Sequence, residues 1–287
     1  MQSYSGPCRS VLYIPASRAR ALEKAQTLPV DAIIFDLEDA VSPDEKVAAR
    51  ALLADTLKTS DYGARRRIVR INGFDTEWGA ADLNALAKAG PDAILLPKVN
   101  TASDIEQLSL LMDDISEAAS TSIWAMMETS RGILNALDIA GAPRMEGFVL
   151  GTNDLAKDLG ALARPAMLTS LQLCLLAARA EGLICVDGVY NAFKDDEGLA
   201  VECEEGRSMG FDGKTLIHPA QVSITNAIFA PSEDEIALSR RQIAAFEEAE
   251  AAGQGVAVVD GKIVENLHVE TAKRVLAKAE AIASLEA

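Results

Sequence analysis

Glu128 and Asp154 each stand where a short apolar run gives way to the start of a helix. The run at residues 122–127 (SIWAMM) ends at Glu128, and the run at 147–150 (GFVL) leads through Gly151-Thr152-Asn153 to Asp154. Residues 131–139 between them read as a helix. A strand–helix–strand unit of this length gives two parallel strands joined by a right-handed crossover. Neighbouring strands lie about 4.8 Å apart, so residues leaving the same edge can converge on one small ion. Two oxygen ligands without His or Cys nearby suit a hard cation, Mg²⁺ or Mn²⁺, that keeps several waters for a substrate to displace. The structural alternative makes Glu128 a helix cap and Asp154 a solvated loop acid.

Other apolar runs end in the same way. Residues 31–37 (DAIIFDL) run into Asp36, Glu38 and Asp39, and residues 66–71 (RRIVRI) deliver Arg70 and Asn72. Residues 92–97 (DAILLP) exit at Lys98, 183–186 (LICV) at Asp187 and 213–217 (GKTLI) at His218. With a first strand at 9–14 and the pair around Glu128 and Asp154, eight short apolar strands alternate with helical segments. That pattern predicts an α/β fold, a (β/α)8 TIM barrel, rather than an open doubly wound sheet. Active sites of such barrels lie at the carboxyl ends of the strands, the face on which these polar exits gather. No GxGxxG or Walker loop follows any strand, which removes the usual dinucleotide and nucleotide-triphosphate readings.

Helix signals complete the frame. Ser17 is placed to cap a first helix carrying Arg18, Arg20 and Lys24, whose three bases oppose the dipole preference at a helix start. An anion bound there would account for them; solvated surface bases would do so equally. Ser42-Pro43-Asp44-Glu45 reads as a capping box with a first-turn proline, and Asp75 as the start of the next helix.

The chain has 287 residues, 49% of them hydrophobic, enough for a large buried core. No apolar run approaches the roughly 18 residues of a membrane span, and the amino terminus has no basic-then-apolar leader pattern. The four cysteines show no CxxC spacing, so a reduced, cytoplasmic setting is expected. With 43 acidic against 27 basic residues and a net charge of −16, non-specific nucleic-acid binding is not expected. One anionic small ligand held by a local basic cluster remains compatible.

The barrel is expected to occupy residues 1–230. Beyond it, residues 231–287 read as a C-terminal extension of helix, hairpin and helix: a long helix to about 252, strands at 256–259 and 262–264 around Asp260-Gly261, and a last helix from 267 to 284. A closed barrel leaves such an extension no interior to fill, so it is expected to cover an active site, that of a neighbouring subunit.

The segments RSVLYIPAS, DAIIFDLEDAV, RIN, LLPKV, ETSRGI, GTNDLAKDLG, DGV, GFDGKTLIHPAQV and FAPS occur in the order found in citrate lyase β-subunit-like proteins. The chain resembles that group of the HpcH/HpaI aldolase/citrate lyase superfamily, which includes malyl-CoA and citramalyl-CoA lyases, over nearly its whole length. The resemblance implies a Mg²⁺-dependent barrel enzyme acting on the CoA thioester of a short hydroxy acid, as a homotrimer or a multiple of trimers. Carried over by position, Glu128 and Asp154 resemble the metal ligands and Arg70 the arginine that polarises the substrate oxygen. Glu38, beside Asp36 and Asp39, resembles an acid that orients metal-bound water or Arg70, with Asp36 set near the substrate. Arg18 and Lys24 resemble the bases that hold the CoA phosphates.

The implied reaction is retro-Claisen C–C cleavage of a malyl-CoA-like thioester. Hydrolysis of (S)-malyl-CoA at the same site is the alternative, and a citryl-CoA lyase subunit of a larger complex the second. One residue departs from the family pattern. Lyases of the group carry an aspartate after the final hairpin that handles the proton on the acetyl carbon, whereas here Glu265 follows Gly261-Lys262-Ile263-Val264. The extra methylene displaces the carboxylate by about one bond, and misplacement near 1 Å can cost roughly 100-fold. Glu265 either caps the last helix or handles a proton at a neighbour's thioester.

Overall fold

The computed structural model describes residues 6–286. In chain order its elements are β1 (Ser10–Pro15), α1 (Ala19–Ala25), β2 (Ala32–Asp36), α2 (Lys46–Thr59), β3 (Arg66–Arg70), α3 (Gly79–Leu86), β4 (Ala93–Leu96) and α4 (Ala102–Asp113). Then come β5 (Ser122–Met127), α5 (Ser130–Leu134), α6 (Ala136–Ala140), β6 (Met145–Leu150), α7 (Thr152–Leu159), α8 (Leu168–Ala180), β7 (Ile184–Asp187), α9 (Asp196–Met209), β8 (Gly213–Leu216) and α10 (Val222–Phe229). The chain closes with α11 (Glu233–Ala251), β9 (Ala257–Val259), β10 (Lys262–Val264) and α12 (Asn266–Glu286).

Strands β1 to β8 are all parallel, in sequence order, and β1 closes on β8: a (β/α)8 barrel, as the alternation predicts. The strands are apolar on both faces because each face has something to bury against. Val11, Ile34, Ile68, Leu95, Trp124, Val149 and Val186 fill the barrel interior. The alternate positions, among them Leu12, Phe35, Val69, Ile94, Phe148 and Leu216, pack outward against the helices. Trp124 is the bulkiest interior residue and needs Gly147 beside it, where a Cβ would sit 2.8 Å from the indole ring.

Three local expectations are corrected. Ser17 does not cap α1; its buried hydroxyl has no hydrogen-bond partner among the described residues, and Arg18 occupies the cap position without a side-chain bond. The third helix begins at Gly79, not Asp75, because the chain first folds back on itself: a Cβ at Gly79 would lie 2.4 Å from the Gly73 carbonyl. The single helix expected over 131–139 is two, broken at Asn135 (ψ 13°), whose side chain donates to the Asn100 carbonyl at 2.8 Å.

In the carboxy-terminal segment, α11 and α12 lie against each other and close a small core of Ala249, Ala257, Val259, Val264 and Val269 with the hairpin. The Asp260-Gly261 turn has positive φ at both residues (49° and 74°), as a tight two-residue hairpin requires. The far end of α12 returns to the amino-terminal face of the barrel: Arg9 bridges Asp31 and Glu286, and Lys278 donates to the Asp212 carbonyl.

Candidate active site

The strand register brings the first charged residues together. Asp36 and Arg70 are paired across β2 and β3, so both side chains leave the same face at the barrel mouth. Arg70 donates from Nε and Nη2 to the two Asp36 oxygens, each at 2.7 Å. Those oxygens also accept the backbone N–H groups of Glu38 and Ala40. Asp36, 1% exposed, is therefore fully engaged in holding Arg70 and the turn after β2. The third guanidinium nitrogen, Nη1, lies 2.8 Å from Glu38 Oε2, and the guanidinium sits over the Tyr13 ring at 5.0 Å. Such a planar fork, gripped on one edge, can present its remaining N–H groups to a substrate carboxylate or carbonyl.

Glu128 and Asp154 line the same cavity, of about 290 Å³, together with Tyr13, Asp36, Asp39 and Arg70. Glu128 is buried, and its Oε1 accepts the Lys98 backbone N–H at 2.7 Å. It reaches the cavity because Gly151 has no side chain; a Cβ there would lie 2.4 Å from Oε2. Burial pushes the Glu128 carboxyl up to about 7, and the negative charges of Glu38 and Asp154 add to the rise. Burial raises Glu38 as well, against the pull of Arg70 and Lys98. A buried carboxylate facing further acids is a place where a cation would be stabilising. Among the described residues no group of three or more His, Cys, Asp or Glu side chains converges on one point. The pair Glu128 and Asp154 thus fits Mg²⁺, which usually takes one or two protein carboxylates and leaves its other positions to water and substrate.

The remaining expected residues lie apart from this cavity. Arg18 and Lys24 are exposed beyond the carboxyl end of β1 and make no ion pair among the described residues. Glu265 is exposed; its carbonyl accepts the first N–H groups of α12, from His268 and Val269, while its carboxylate accepts no hydrogen bond among the described residues. Among the described residues, none of the carboxy-terminal segment lines the cavity of its own chain. The strand exits Asp187 and His218 do not line it either. Asp187 is enclosed by Arg164 and Lys214, and His218 caps a turn by accepting the Ala220 N–H at Nδ1.

Several contributors were not picked out from the sequence. Tyr13 supports Arg70, and its alternation with interior Val11 along β1 was the available signal. Lys46 ties down the turn after β2 by donating Nζ to the Leu37 and Glu38 carbonyls, each at 2.9 Å. Asp82 accepts from Asn72 and pairs with Arg50. Contacts of this kind join distant segments, and no local pattern announces them.

A (3S)-malyl-CoA thioesterase of Cereibacter sphaeroides is 66% identical over 290 aligned positions, covering 100% of both chains. The citrate lyase subunit beta of Leuconostoc mesenteroides subsp. cremoris is 38% identical, covering 95% of this chain and 93% of the relative. The crystal structure of CitE from Mycobacterium tuberculosis in complex with magnesium, acetoacetate and coenzyme A superposes with a TM-score of 0.79 at 31% identity, over 96% of this chain and 98% of that one. The expectation of C–C cleavage is corrected here. The relative with much the higher identity, end to end, is a thioesterase, which breaks the C–S bond. The HpcH/HpaI aldolase/citrate lyase family model matches residues 9–219, and the chain belongs to that family.

Proposed function

We propose that this protein is a Mg²⁺-dependent thioesterase that hydrolyses (3S)-malyl-CoA to malate and CoA. The observation that carries this reading is the 66% identity, over the full length of both chains, to a (3S)-malyl-CoA thioesterase. The gathering of Arg70, Glu128 and Asp154 around one cavity supports it.

In this reading Glu128 and Asp154 would hold the ion, which when bound supplies positive charge to the oxygens of the hydroxy acid. Arg70, fixed by Asp36 and Glu38, grips the acyl portion and stabilises negative charge that develops on the thioester oxygen. Arg18 and Lys24, both exposed, hold the CoA phosphates. A carboxylate directs water onto the thioester carbon. We assign that role to Glu265 of a neighbouring copy in a homotrimer or a multiple of trimers, since it faces no site in its own chain. Water oxygen bonds to the carbonyl carbon and its proton passes to the carboxylate. The C–S bond then breaks, and the departing CoA sulfur takes the proton.

The test is direct. Purified protein with (3S)-malyl-CoA and Mg²⁺ should release malate and free CoA in equal amounts. Release of an oxoacid with acetyl-CoA, or no turnover, would overturn the proposal. Light scattering at micromolar concentration should give at least three times the 30.4 kDa chain mass; a monomer would remove Glu265 from the mechanism.

A further inference from the structure

We infer that Lys98, at the exit of β4, is a positioning residue that fixes the two halves of the site relative to each other; the inference rests on the hydrolytic reading above. Lys98 does not line the cavity, yet it touches both acids that do the cavity's chemistry or support it. Its backbone N–H donates to Glu128 Oε1 at 2.7 Å, and its Nζ donates to Glu38 Oε1 at 2.9 Å. Glu38 in turn meets Arg70 Nη1 through its other oxygen at 2.8 Å. One residue therefore links the proposed metal carboxylate, through the main chain, to the acid behind Arg70, through the side chain.

The backbone carries a second mark. Lys98 has φ +53°, one of three non-glycine residues in the left-handed region among those described. A lysine there is strained by its Cβ, and glycine would relieve the strain. The conformation is held because the next residues are pinned: the Asn100 side chain donates to the Lys98 carbonyl at 2.9 Å, and Gly132 packs on the Val99 carbonyl so closely that a Cβ would lie 2.3 Å from it. A residue kept in a disfavoured conformation, with both its N–H and its ammonium spent on site acids, fits a positioning role better than a solvated surface base.

The two links separate by substitution. Lys98→Met keeps the N–H to Glu128 and removes the ammonium; Lys98→Gly does the same while relaxing φ; Lys98→Arg keeps the charge. We expect kcat for (3S)-malyl-CoA to fall at least about tenfold in Lys98→Met and Lys98→Gly, with KM within about threefold, because a loosened Glu38 lets Arg70 drift. Lys98→Arg should recover to within about fivefold of wild type. Mn²⁺ affinity of the substrate-free protein, read by electron paramagnetic resonance, should stay within about threefold in all variants, and the melting temperature of Lys98→Gly should be no lower than wild type. Unchanged kcat in both Lys98→Met and Lys98→Gly overturns the inference. So does a loss of Mn²⁺ binding that parallels the loss of kcat, which would mark collapse of the site instead of displacement of Arg70. Wild-type protein assayed alongside keeps the cases apart: if it does not hydrolyse the thioester, the functional proposal fails first. If Lys98→Met does not fold, the Lys98→Gly result decides.

Discussion

Two clusters of buried charge sit at strand ends of this barrel, and they are built on opposite terms. Around β7 and β8, the two oxygens of Asp187 are met by Arg164 at 3.0 and 2.9 Å and by Lys214 at 2.9 Å, and Lys214 also reaches Glu202. Burial would push the Asp187 carboxyl up, but the charges of Lys214 and Arg164 outweigh it and hold the group below its ordinary range. Arg164 also pairs with Glu205, and both Asp187 oxygens are met by cations. Across the mouth, Asp36, Glu38, Asp39, Glu128 and Asp154 gather around Arg70 and Lys98. There Asp36 is saturated by Arg70 while Glu128 has a single backbone donor and a carboxyl raised to about 7, chiefly by burial. The first cluster is complete without a ligand and holds structure. The second carries an excess of negative charge that a bound cation would relieve, as expected of a candidate site.

Breaking the unbalanced cluster should cost activity and spare the fold. Glu128→Gln or Asp154→Asn is expected to lower kcat by about 1,000-fold or more, since several kcal/mol of charge stabilisation go with the ion. Thermal melts should be unchanged or slightly raised, because a buried acid facing other acids has been neutralised. A loss of fold in these variants would erase the contrast. Breaking the balanced cluster should do the reverse. Asp187→Asn leaves Lys214, with 0% of its side chain exposed, facing one carboxylate fewer, and should destabilise by about 3–5 kcal/mol in denaturant titration.

Arg70→Lys comes next: the charge stays but the two-pronged grip of Asp36 is lost, and kcat should fall about 100-fold with a smaller change in KM. If KM alone rises, Arg70 only binds. The pH dependence of stability gives a finer test. Asp187 has a folded-state pKa below its unfolded value, so its stabilisation is complete above the unfolded value near 3.9 and disappears as pH falls through the folded one. Melting temperatures of wild type should drop below about pH 4 more steeply than those of Asp187→Asn. The smallest effect is expected at Glu265, where Ala should slow hydrolysis about tenfold, short of the roughly 100-fold or more that a fully positioned general base contributes, with no change in melting. An unaltered rate would leave Glu265 as the residue before a helix and nothing more.

Most of the fold was legible because strand burial on both faces leaves a mark in the chain. Runs such as residues 32–36 and 122–127 are too short for helices and too apolar for loops, and their alternation with helices admits few topologies besides a barrel. The same runs showed which polar residues would share one edge: Asp36, Arg70 and Glu128 line one cavity. What those exits do was decided in three dimensions. Asp187 and Glu128 look alike in sequence, each an acid ending an apolar strand. One is neutralised by Arg164, 23 residues earlier, and Lys214, 27 later, and the other is not. Lys98 reads as one more basic exit; only the crossing of β4 past Glu38 and Glu128 turns it into a link between them. The choice between breaking a C–C and a C–S bond lay further still from local pattern: the shared motifs are those of the whole family, and end-to-end identity to a thioesterase is what favours the C–S bond. Sequence determines which residues a strand delivers to the mouth through burial and alternation, which are local. Charge balance is a sum over partners brought from far along the chain, and only the closed barrel performs it.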